Sequence, residues 1–378
     1  KGAVGIGLKS LGVTVLDCGL ASTPAMFMST VFEEYKCDGA IMITASHLPK
    51  DRNGFKYFSR EGGLDKEDIA QIIKIAEGLS LEELQAQYKE KNALGQVKQA
   101  GLMSTYASYL REMIKKQVGG DNPLEGLRIA VDAGNGAGGF YALDVLKPLG
   151  ADITGSQFLE PDGNFPNHQP NPENKEAMES ICRAVIENKA DLGLIFDTDV
   201  DRSSAVDASG REINRNAIVA MAAALIAKDF PGTTVVTDSI TSDQLTEYLE
   251  KCLGLKHLRF KRGYKNVINE AKELNQNGVD SQLAIETSGH AAYKENYFLD
   301  DGAYLATKIV IKTAQLKKAG AGLDVVLSSL EEPKEAIEKR FSINRADFAE
   351  YGQEILCRLE EWVEREGQQI GASLVSPN

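Results

Sequence analysis

The sequence has few of the residues and patterns that mark several large classes of protein. Its 5 cysteines are odd in number and scattered without the spacing of a metal site, so we expect reduced thiols and a cytoplasmic location. Its longest apolar stretches, such as residues 217–227, are much shorter than the roughly 20 residues of a membrane-spanning helix. Lysine and arginine number 42 against 55 acidic residues, which argues against nucleic acid or an anionic membrane as a partner.

The rest of the composition is that of a globular protein. With 43% hydrophobic and 26% charged residues, nothing indicates disorder, a fibre or a coiled coil. A chain of 378 residues exceeds the usual size of a single hydrophobic core. We therefore expect several domains.

The order of the elements predicts an α/β fold. Residues 11–17 and 39–44 have the pattern of buried strands, and a helical pattern follows each, as in a parallel α/β layer. Strands at 127–132 and 233–238 each end in an aspartate and lead through a turn of small residues into a helix, so these two units resemble each other. We predict serial repeated α/β domains with mixed sheets around a central cleft, plus a partial fourth domain.

Changes in composition and the starts of helical patterns predict where the domains divide. The first domain carries a serine loop, the second an acidic loop and the third a polar loop, and the four predicted ranges are 1–103, 104–212, 213–334 and 335–378. The first residues look like the middle of a helix, and the last segment looks like the start of a domain. We therefore expect the first and fourth domains to be incomplete in this sequence.

Ser46 lies just after a predicted strand, in a loop that is rich in cations. The apolar run 39–44 stops at Ala45-Ser46-His47-Leu48-Pro49, where the proline prevents a helix from following. The same segment supplies Lys50, Arg52 and Lys56. A phosphate ester on Ser46 would receive charge-assisted hydrogen bonds from these cations, although a serine that caps a turn has the same local pattern.

Three aspartates alternate directly after the buried strand 191–196. The carboxylates of Asp197, Asp199 and Asp201 can converge on one hard cation. Magnesium is the expected occupant, because three carboxylates leave ligand positions for water or a phosphate oxygen. A calcium site or solvated charge is the alternative, and without a cation the carboxylates would repel one another strongly.

Three weaker patterns accompany these loops. Glu286-Thr-Ser288-Gly-His290 offers an acceptor, a hydroxyl and an imidazole to the vicinal hydroxyls of a sugar, or else caps a helix. Residues 261–266 place cations before a helix, either as a phosphate site or as a solvated face. We interpret the glycine cluster at 134–139 as a turn that opens a helix rather than a dinucleotide-binding loop.

Taken together and in this order, TASHLP, DTDVDR and ETSGH resemble the motifs of the α-D-phosphohexomutases, the family of phosphoglucomutases and phosphomannomutases. The resemblance extends over nearly the whole chain. It implies an enzyme that interconverts hexose 1-phosphate and hexose 6-phosphate, of glucose, mannose or both, through a phosphoserine and a bisphosphate intermediate. It implies one Mg²⁺ ion, a hexose 1,6-bisphosphate activator and a small sugar phosphate as the partner, and it leaves the oligomeric state open.

The resemblance also implies roles for individual residues. The implied catalytic residues are Ser46, His47, Lys56 and Arg202. The implied ligands of magnesium are Ser46, Asp197, Asp199 and Asp201. The implied substrate-binding residues are Lys265, Glu286, Ser288 and His290. Among these, Ser46 carries the phosphoryl group and Lys56 is our candidate for moving the proton of the accepting hydroxyl.

The sequence departs from the family pattern at several points. Leu48 stands where an asparagine is usual, and Thr198 and Val200 stand where glycines are common. The family's N-terminal arginine motif and its fourth-domain phosphate loop have no counterpart, as expected if both ends are missing.

Two other functions remain open at this point. A phosphatase or mutase of the haloacid dehalogenase type would use Asp197, at the end of a buried strand, as its nucleophile. A noncatalytic protein would bind a sugar phosphate without converting it.

Overall fold

The computed structural model describes residues 1–46, 48, 51–80, 82, 95–335, 337, 339 and 341–374. Its contacts divide the chain into two units, residues 1–331 and residues 332–378. No helix within the described part of the chain is both long and apolar enough to pass through a bilayer.

The first predicted domain contains two small sheets. Its helices are α1 (Gly2–Ser10), α2 (Thr23–Met28) and α3 (Lys66–Glu77). Its strands are β1 (Val15–Asp17), β2 (Ala40–Ile43), β3 (Phe55–Ser59), β4 (Gly62–Gly63) and β5 (Val97–Gln99). β1 pairs with β5 in parallel, whereas β2, β3 and β4 form an antiparallel sheet.

The predicted parallel layer of the strands at 11–17 and 39–44 is wrong, because β1 and β2 lie in different sheets. β2 and β3 are antiparallel because only the loop 44–54 joins them, which is too short for the crossover that parallel neighbours need. The helix starts follow local capping signals. Ser22 accepts the N–H of Ala25 at 3.3 Å at the start of α2, and Asp65 and Asp68 form a capping box at the start of α3.

The second predicted domain is a four-stranded mixed sheet with helices. It begins with α4 (Leu102–Val118) and β6 (Ile129–Asp132), followed by a π-helical segment (Tyr141–Leu146) and a 3₁₀ turn (Lys147–Leu149). The remaining elements are α5 (Lys175–Asn188), β7 (Leu192–Phe196), β8 (Ser203–Asp207) and β9 (Glu212–Ile213). β6 and β7 are parallel, and β8 and β9 add antiparallel strands. Every residue of β6, β7 and β8 is buried.

The third predicted domain has a five-stranded mixed sheet. It runs through α6 (Asn216–Ala227), β10 (Thr234–Asp238), α7 (Asp243–Glu247), a π-helical segment (Tyr248–Cys252), β11 (Lys256–Phe260) and α8 (Tyr264–Gln276). It continues with β12 (Ser281–Ile285), β13 (Ala291–Tyr293), a 3₁₀ turn (Lys294–Asn296), β14 (Leu299–Asp300), α9 (Gly302–Lys318) and a 3₁₀ turn (Leu323–Leu327). The strand order is β11-β10-β12-β13-β14, with the first three strands parallel.

One apolar core links these elements within the first unit. It includes Phe27 of α2, Phe196 of β7, Ile285 of β12 and Val310 of α9. Because these residues come from all three predicted domains, the loops at the strand ends are held by a shared core. The second unit contains α10 (Phe348–Glu366) and a 3₁₀ turn (Gly367–Ile370).

Candidate active site

A tight turn between β7 and β8 carries the three aspartates. The antiparallel pairing of these buried strands leads directly into the turn 197–202, and Val200 adopts a left-handed φ of 68° within it. Asp197, Asp199 and Asp201 are at most 3% exposed. Carboxylate oxygens of the three lie within 4.8 Å of one another. The structure thus brings together the carboxylates that the sequence pattern singled out.

The three carboxyl groups of this turn differ in their surroundings. Burial, together with the charges of Asp201 and Asp199, raises the pKa of Asp197 well above its ordinary value. Burial also favours a raised pKa for Asp201, but the charges of Lys56 and His290 outweigh it and lower that pKa. Asp199 Oδ1 and Asp201 Oδ1 are buried and have no hydrogen-bond partner among the described residues. Converging hard oxygen ligands, two of them without a hydrogen-bond partner among the described residues, fit a magnesium ion.

Two glycines allow neighbouring backbone to pack against the turn. A Cβ on Gly136 would lie 2.6 Å from the carbonyl oxygen of Thr198, and the N–H of Ala137 donates to the same oxygen at 2.8 Å. A Cβ on Gly302 would meet the backbone of the turn at 2.5 Å. The glycine cluster 134–139 therefore supports the acidic turn and leads into the helical segment that follows.

The antiparallel pair β2 and β3 brings Ser46 and Lys56 to the aspartates. Ser46 lies just beyond β2 with a φ of 50°, and its hydroxyl donates to Asp197 Oδ2 at 3.2 Å. The ammonium of Lys56 in β3 binds Asp199 Oδ2 at 2.9 Å and Asp201 Oδ2 at 2.6 Å. Burial by itself lowers the pKa of Lys56, but the two carboxylates outweigh it and raise the pKa above its ordinary value. Lys56 is therefore charged in this arrangement.

The rest of the serine loop is more open than the acidic turn. Leu48 is 52% exposed, and Arg52 is also exposed. The N–H of Ser46 donates to Thr44 Oγ1 at 2.8 Å, which fixes the end of the strand. His47, for which the resemblance implies a catalytic role, lies outside the described residues, as do its neighbours 49–50.

Arg202 closes the acidic turn and binds Asp197 through two groups. Its backbone N–H donates to Asp197 Oδ1 at 3.2 Å, and its Nε donates to Oδ2 at 3.3 Å. Its Nη1 reaches Asn171 Oδ1 at 3.3 Å and the Glu173 carboxylate at 3.5 Å. Its Nη2 is buried and has no partner among the described residues. The guanidinium is thus fixed in place while one of its nitrogens remains available to an anion.

The turn between β12 and β13 carries Glu286, Ser288 and His290. The N–H of Glu286 donates to the carbonyl of His290 at 2.9 Å and closes the turn. Glu286 Oε1 accepts the N–H of Gly263 at 2.5 Å. Ser288 is 8% exposed, and its hydroxyl has no partner within the described part of the chain. A backbone bridge between His290 and Arg202 places this turn beside the acidic one.

His290 is held by an aspartate that the sequence analysis did not single out. Its Nδ1 lies 2.5 Å from Asp300 Oδ2, and its ring stacks on Tyr264 with a centroid distance of 5.1 Å. Burial lowers the pKa of His290, but the charges of Asp300 and Asp201 outweigh this and raise it to about 9. The imidazole is therefore charged at neutral pH and fixed in orientation.

Lys265 lies beside the site rather than against the aspartates. Its ammonium donates to the carbonyl oxygen of Leu64, and no hydrogen bond or ion pair among the described residues joins it to the acidic turn. Its side chain lines a cavity of about 190 Å³ whose wall also includes Lys56, Lys272 and Asp300.

Three residues that contribute to this site were not predicted from the sequence. Thr23 donates its hydroxyl to Asp199 Oδ2 at 2.5 Å, Asp300 holds His290, and Glu173 binds Arg202. The Thr-Pro pair at 23–24 indicates only a helix start. The Asp300-Asp301 pair indicates only a cap, which Asp301 provides by accepting the N–H of Tyr304 at 2.9 Å.

Comparisons with known proteins assign the three loops to three domains of one family. Sequence models of three phosphoglucomutase/phosphomannomutase domains match in order, with α/β/α domain I at residues 1–82, domain II at 104–210 and domain III at 214–329. The serine loop, the acidic turn and the polar turn fall in domains I, II and III, respectively.

Two curated relatives carry the names of the same family. A phosphoglucomutase of Neisseria gonorrhoeae is 31% identical over 88% of this chain and 64% of its own length. A phosphomannomutase/phosphoglucomutase of Pseudomonas putida is 33% identical over 80% of this chain and 60% of its own length. The chain thus spans less than two thirds of these relatives.

The solved structure is the crystal structure of a phosphoglucomutase/phosphomannomutase family protein from Burkholderia thailandensis. It has a TM-score of 0.69 and 26% identity to this chain, and the likeness covers 88% of this chain and 68% of that one. Three family domains follow one another over most of the sequence, and they bring the motif-bearing loops into contact. The chain therefore belongs to the phosphoglucomutase/phosphomannomutase family, the α-D-phosphohexomutases.

Proposed function

We propose that this protein interconverts hexose 1-phosphate and hexose 6-phosphate by moving a phosphoryl group through Ser46. The observation that carries the proposal is the 3.2 Å contact between Ser46 Oγ and Asp197 Oδ2. It brings a loop hydroxyl from one predicted domain to three buried carboxylates of another. A phosphoryl group on that hydroxyl would lie next to the acidic turn, Lys56 and Arg202.

We assign one Mg²⁺ ion to the acidic turn. Its protein ligands would be Asp197, Asp199, Asp201 and an oxygen of phosphorylated Ser46. The buried, unpartnered oxygens of Asp199 and Asp201 support this assignment. When bound, the ion supplies positive charge that stabilises the phosphoryl group in the transition state.

In the proposed reaction, one phosphorus–oxygen bond breaks, another forms, and one proton is transferred. The bond from phosphorus to the Ser46 oxygen breaks while a bond forms to the hydroxyl oxygen of the sugar phosphate. The proton of that hydroxyl passes by way of Lys56 to the Ser46 oxygen: the ammonium of Lys56 gives one proton to the Ser46 oxygen and takes up the proton of the sugar hydroxyl. Arg202 adds positive charge beside the transferred group. His47, adjacent to Ser46, is proposed to assist in the same step.

The turn between β12 and β13 is proposed to bind the sugar. Glu286 and His290 are fixed by Gly263 and Asp300, so they present hydroxyl-binding groups in one orientation, and the Ser288 hydroxyl is available for a further bond. The bisphosphate intermediate must turn over before it returns its other phosphoryl group to Ser46. This turn therefore has to bind hydroxyls that nearly superimpose in both orientations of the ring.

Two further assignments complete the proposal. Lys265 is proposed to contact a substrate phosphate, which its position beside Lys56 in the lining of one cavity supports. A hexose 1,6-bisphosphate is proposed as the activator, because it can phosphorylate Ser46 when that residue has lost its phosphoryl group. The names of the Neisseria and Pseudomonas relatives support glucose and mannose as the sugars.

The alternatives are less well supported. A haloacid dehalogenase-type reaction would use Asp197 as the nucleophile, but it leaves Ser46 and the turn between β12 and β13 without a role, although both lie beside the acidic turn. A noncatalytic protein would bind the same sugar phosphates and is separated from an enzyme only by assay.

The test combines activity with analysis of bound phosphate. The purified protein should convert glucose 1-phosphate or mannose 1-phosphate when primed with the bisphosphate, and it should carry acid-stable phosphate on Ser46. Ser46→Ala should lose both properties, with activity falling by on the order of 10⁴-fold or more. Ser59→Ala, in the same sheet but away from the aspartates, is the matched control. Full activity in Ser46→Ala would overturn the proposal, and binding without conversion would favour the noncatalytic alternative.

A further inference from the structure

We infer that Thr23 is a positioning residue of the cation site, which fixes the Asp199 carboxylate from a neighbouring domain. The inference rests on the cation site of the proposed function. Thr23 Oγ1 donates to Asp199 Oδ2 at 2.5 Å, and the N–H of Thr23 donates to the carbonyl oxygen of Asp199 at 2.8 Å. One residue of α2 thus binds both the backbone and the side chain of a residue 176 positions away.

The hydroxyl of Thr23 is not needed to begin its own helix. Ser22 is the N-cap of α2, and its side chain accepts the N–H of Ala25 at 3.3 Å. Pro24 follows in the first turn, where its missing N–H costs nothing. The Thr23 hydroxyl is therefore directed to Asp199 without loss of a capping bond.

The two oxygens of Asp199 have different surroundings. Oδ2 accepts from Thr23 and from Lys56, whereas Oδ1 is buried without a partner among the described residues. The two donors to Oδ2 restrict rotation of the carboxylate and leave Oδ1 for a cation.

Thr23 is the more rigid of these two donors. It is 4% exposed and carries a short β-branched side chain, whereas the long side chain of Lys56 is 26% exposed. A cation would also repel the Lys56 ammonium but would leave the neutral hydroxyl in place. Thr23 is therefore the donor that continues to orient Asp199 once the site is loaded.

This arrangement couples cation affinity to the contact between two predicted domains. A group that orients a metal ligand typically changes metal affinity by roughly 10–100-fold when it is removed. By linkage, a cation that binds Asp199 must stabilise the Thr23 contact in return.

Calorimetric titration with Mg²⁺, and with Mn²⁺ as a spectroscopic probe, tests the inference without an activity assay. Thr23→Val keeps the shape of the side chain but removes the donor, and it should weaken cation binding by roughly 10–100-fold. Thr23→Ser keeps the hydroxyl and should bind close to wild type. Thr30→Val is the matched control, because Thr30, just after the end of α2, is also 4% exposed but donates to the carbonyl of Phe27 at 2.8 Å.

The outcomes separate this inference from the proposed function. If wild type binds the cation and Thr23→Val binds equally well, the inference alone is wrong. An equal loss of cation affinity in Thr23→Val and Thr30→Val would also overturn the inference, since that result reflects general destabilisation. If wild type binds no divalent cation, both the cation site and the inference fall.

A second measurement covers the case in which Thr23→Val does not fold. In wild type, Mg²⁺ should slow amide hydrogen exchange of Thr23, because the bound ion stabilises the contact between its N–H and Asp199. Unchanged exchange of this amide in cation-loaded protein would contradict the coupling.

Discussion

The acidic turn and the serine loop meet in one site, but the strands that support them are buried to different extents. The acidic turn leaves sheet strands that are buried at every position, whereas the strands that carry Ser46 and Lys56 are mostly half-buried. The three aspartates are at most 3% exposed, but Leu48 in the serine loop is 52% exposed. The charges of the acidic turn are therefore coupled to folding, whereas changes in the serine loop should act mainly on chemistry.

Asp197→Asn should have opposite effects on stability and on activity. Activity should fall by on the order of 10³-fold, because a charged group at the transferred phosphoryl is lost. The raised pKa of Asp197 means that the fold disfavours its charge, so the uncharged amide should increase stability in EDTA. Thermal melting should show a rise of roughly 2–4 °C for each kcal/mol of relieved repulsion.

The control for this change is Asp207→Asn at the other end of β8. Asp207 accepts bonds from Ser209 and Arg211, so its replacement should lower stability. Mg²⁺ should then raise the melting temperature of wild type and Asp207→Asn more than that of Asp197→Asn. A lower melting temperature for Asp197→Asn in EDTA would contradict the contrast between the two regions.

Lys56→Gln should affect both regions, since Lys56 links them. Two buried carboxylates lose their ammonium partner, and breaking such a pair costs roughly 3–5 kcal/mol, somewhat less here because the lysine is 26% exposed. Activity should fall by roughly 10²–10⁴-fold with the loss of proton transfer. Urea unfolding should show that Mg²⁺ restores the stability, while the assay shows no recovery of activity.

Lys265→Gln is the matched control, because that lysine lines the same cavity but binds the carbonyl of Leu64. It should change KM more than kcat and leave the stability nearly unaltered. Equal losses of stability in the Lys56 and Lys265 variants would show that the ion pairs of Lys56 contribute no more to stability than the hydrogen bond of Lys265 does.

The pH dependence of stability should reflect the buried pair of His290 and Asp300. The folded pKa of His290, about 9, lies above its unfolded value of about 6.5, so the folded state binds the proton more tightly. This contribution is fully present below about pH 6.5 and is lost as the pH rises through about 9. Urea midpoints in EDTA should fall over this range in wild type and should fall less in His290→Gln. Parallel curves for the two proteins would contradict this assignment.

Leu48→Asn should give the smallest effect. This exposed residue stands where the family usually has asparagine, and exposed substitutions commonly change stability by less than about 0.5 kcal/mol. Melting temperature and kcat/KM should both stay close to wild type. A large loss of stability would show that the serine loop is as tightly coupled to folding as the acidic turn.

Local sequence patterns singled out several residues that the structure brings together in the candidate site. Ser46 and the alternating aspartates each follow a recognisable strand, and strand ends in α/β sheets tend to gather at one edge. The helix starts at Ser22 and Asp65 also follow from local signals.

Local patterns could not predict contacts between residues that are distant in the sequence. The bond from Thr23 to Asp199 joins residues of different predicted domains, and nothing near position 23 marks it. Asp300 binds His290 because β14 lies next to β13, a pairing that no pattern specified. The direction of β3 relative to β2 was also missed, because no strand was predicted after the serine loop. These features depend on tertiary packing rather than on local periodicity.

The most direct test of the central claim follows one phosphoryl group through the site. Protein with ³²P-phosphate on Ser46 should be mixed with unlabelled glucose 6-phosphate in the presence of Mg²⁺. The account predicts that label leaves Ser46 and appears first in glucose 1,6-bisphosphate, with no net release of inorganic phosphate. Retention of the label on Ser46 while isomerisation proceeds would contradict it.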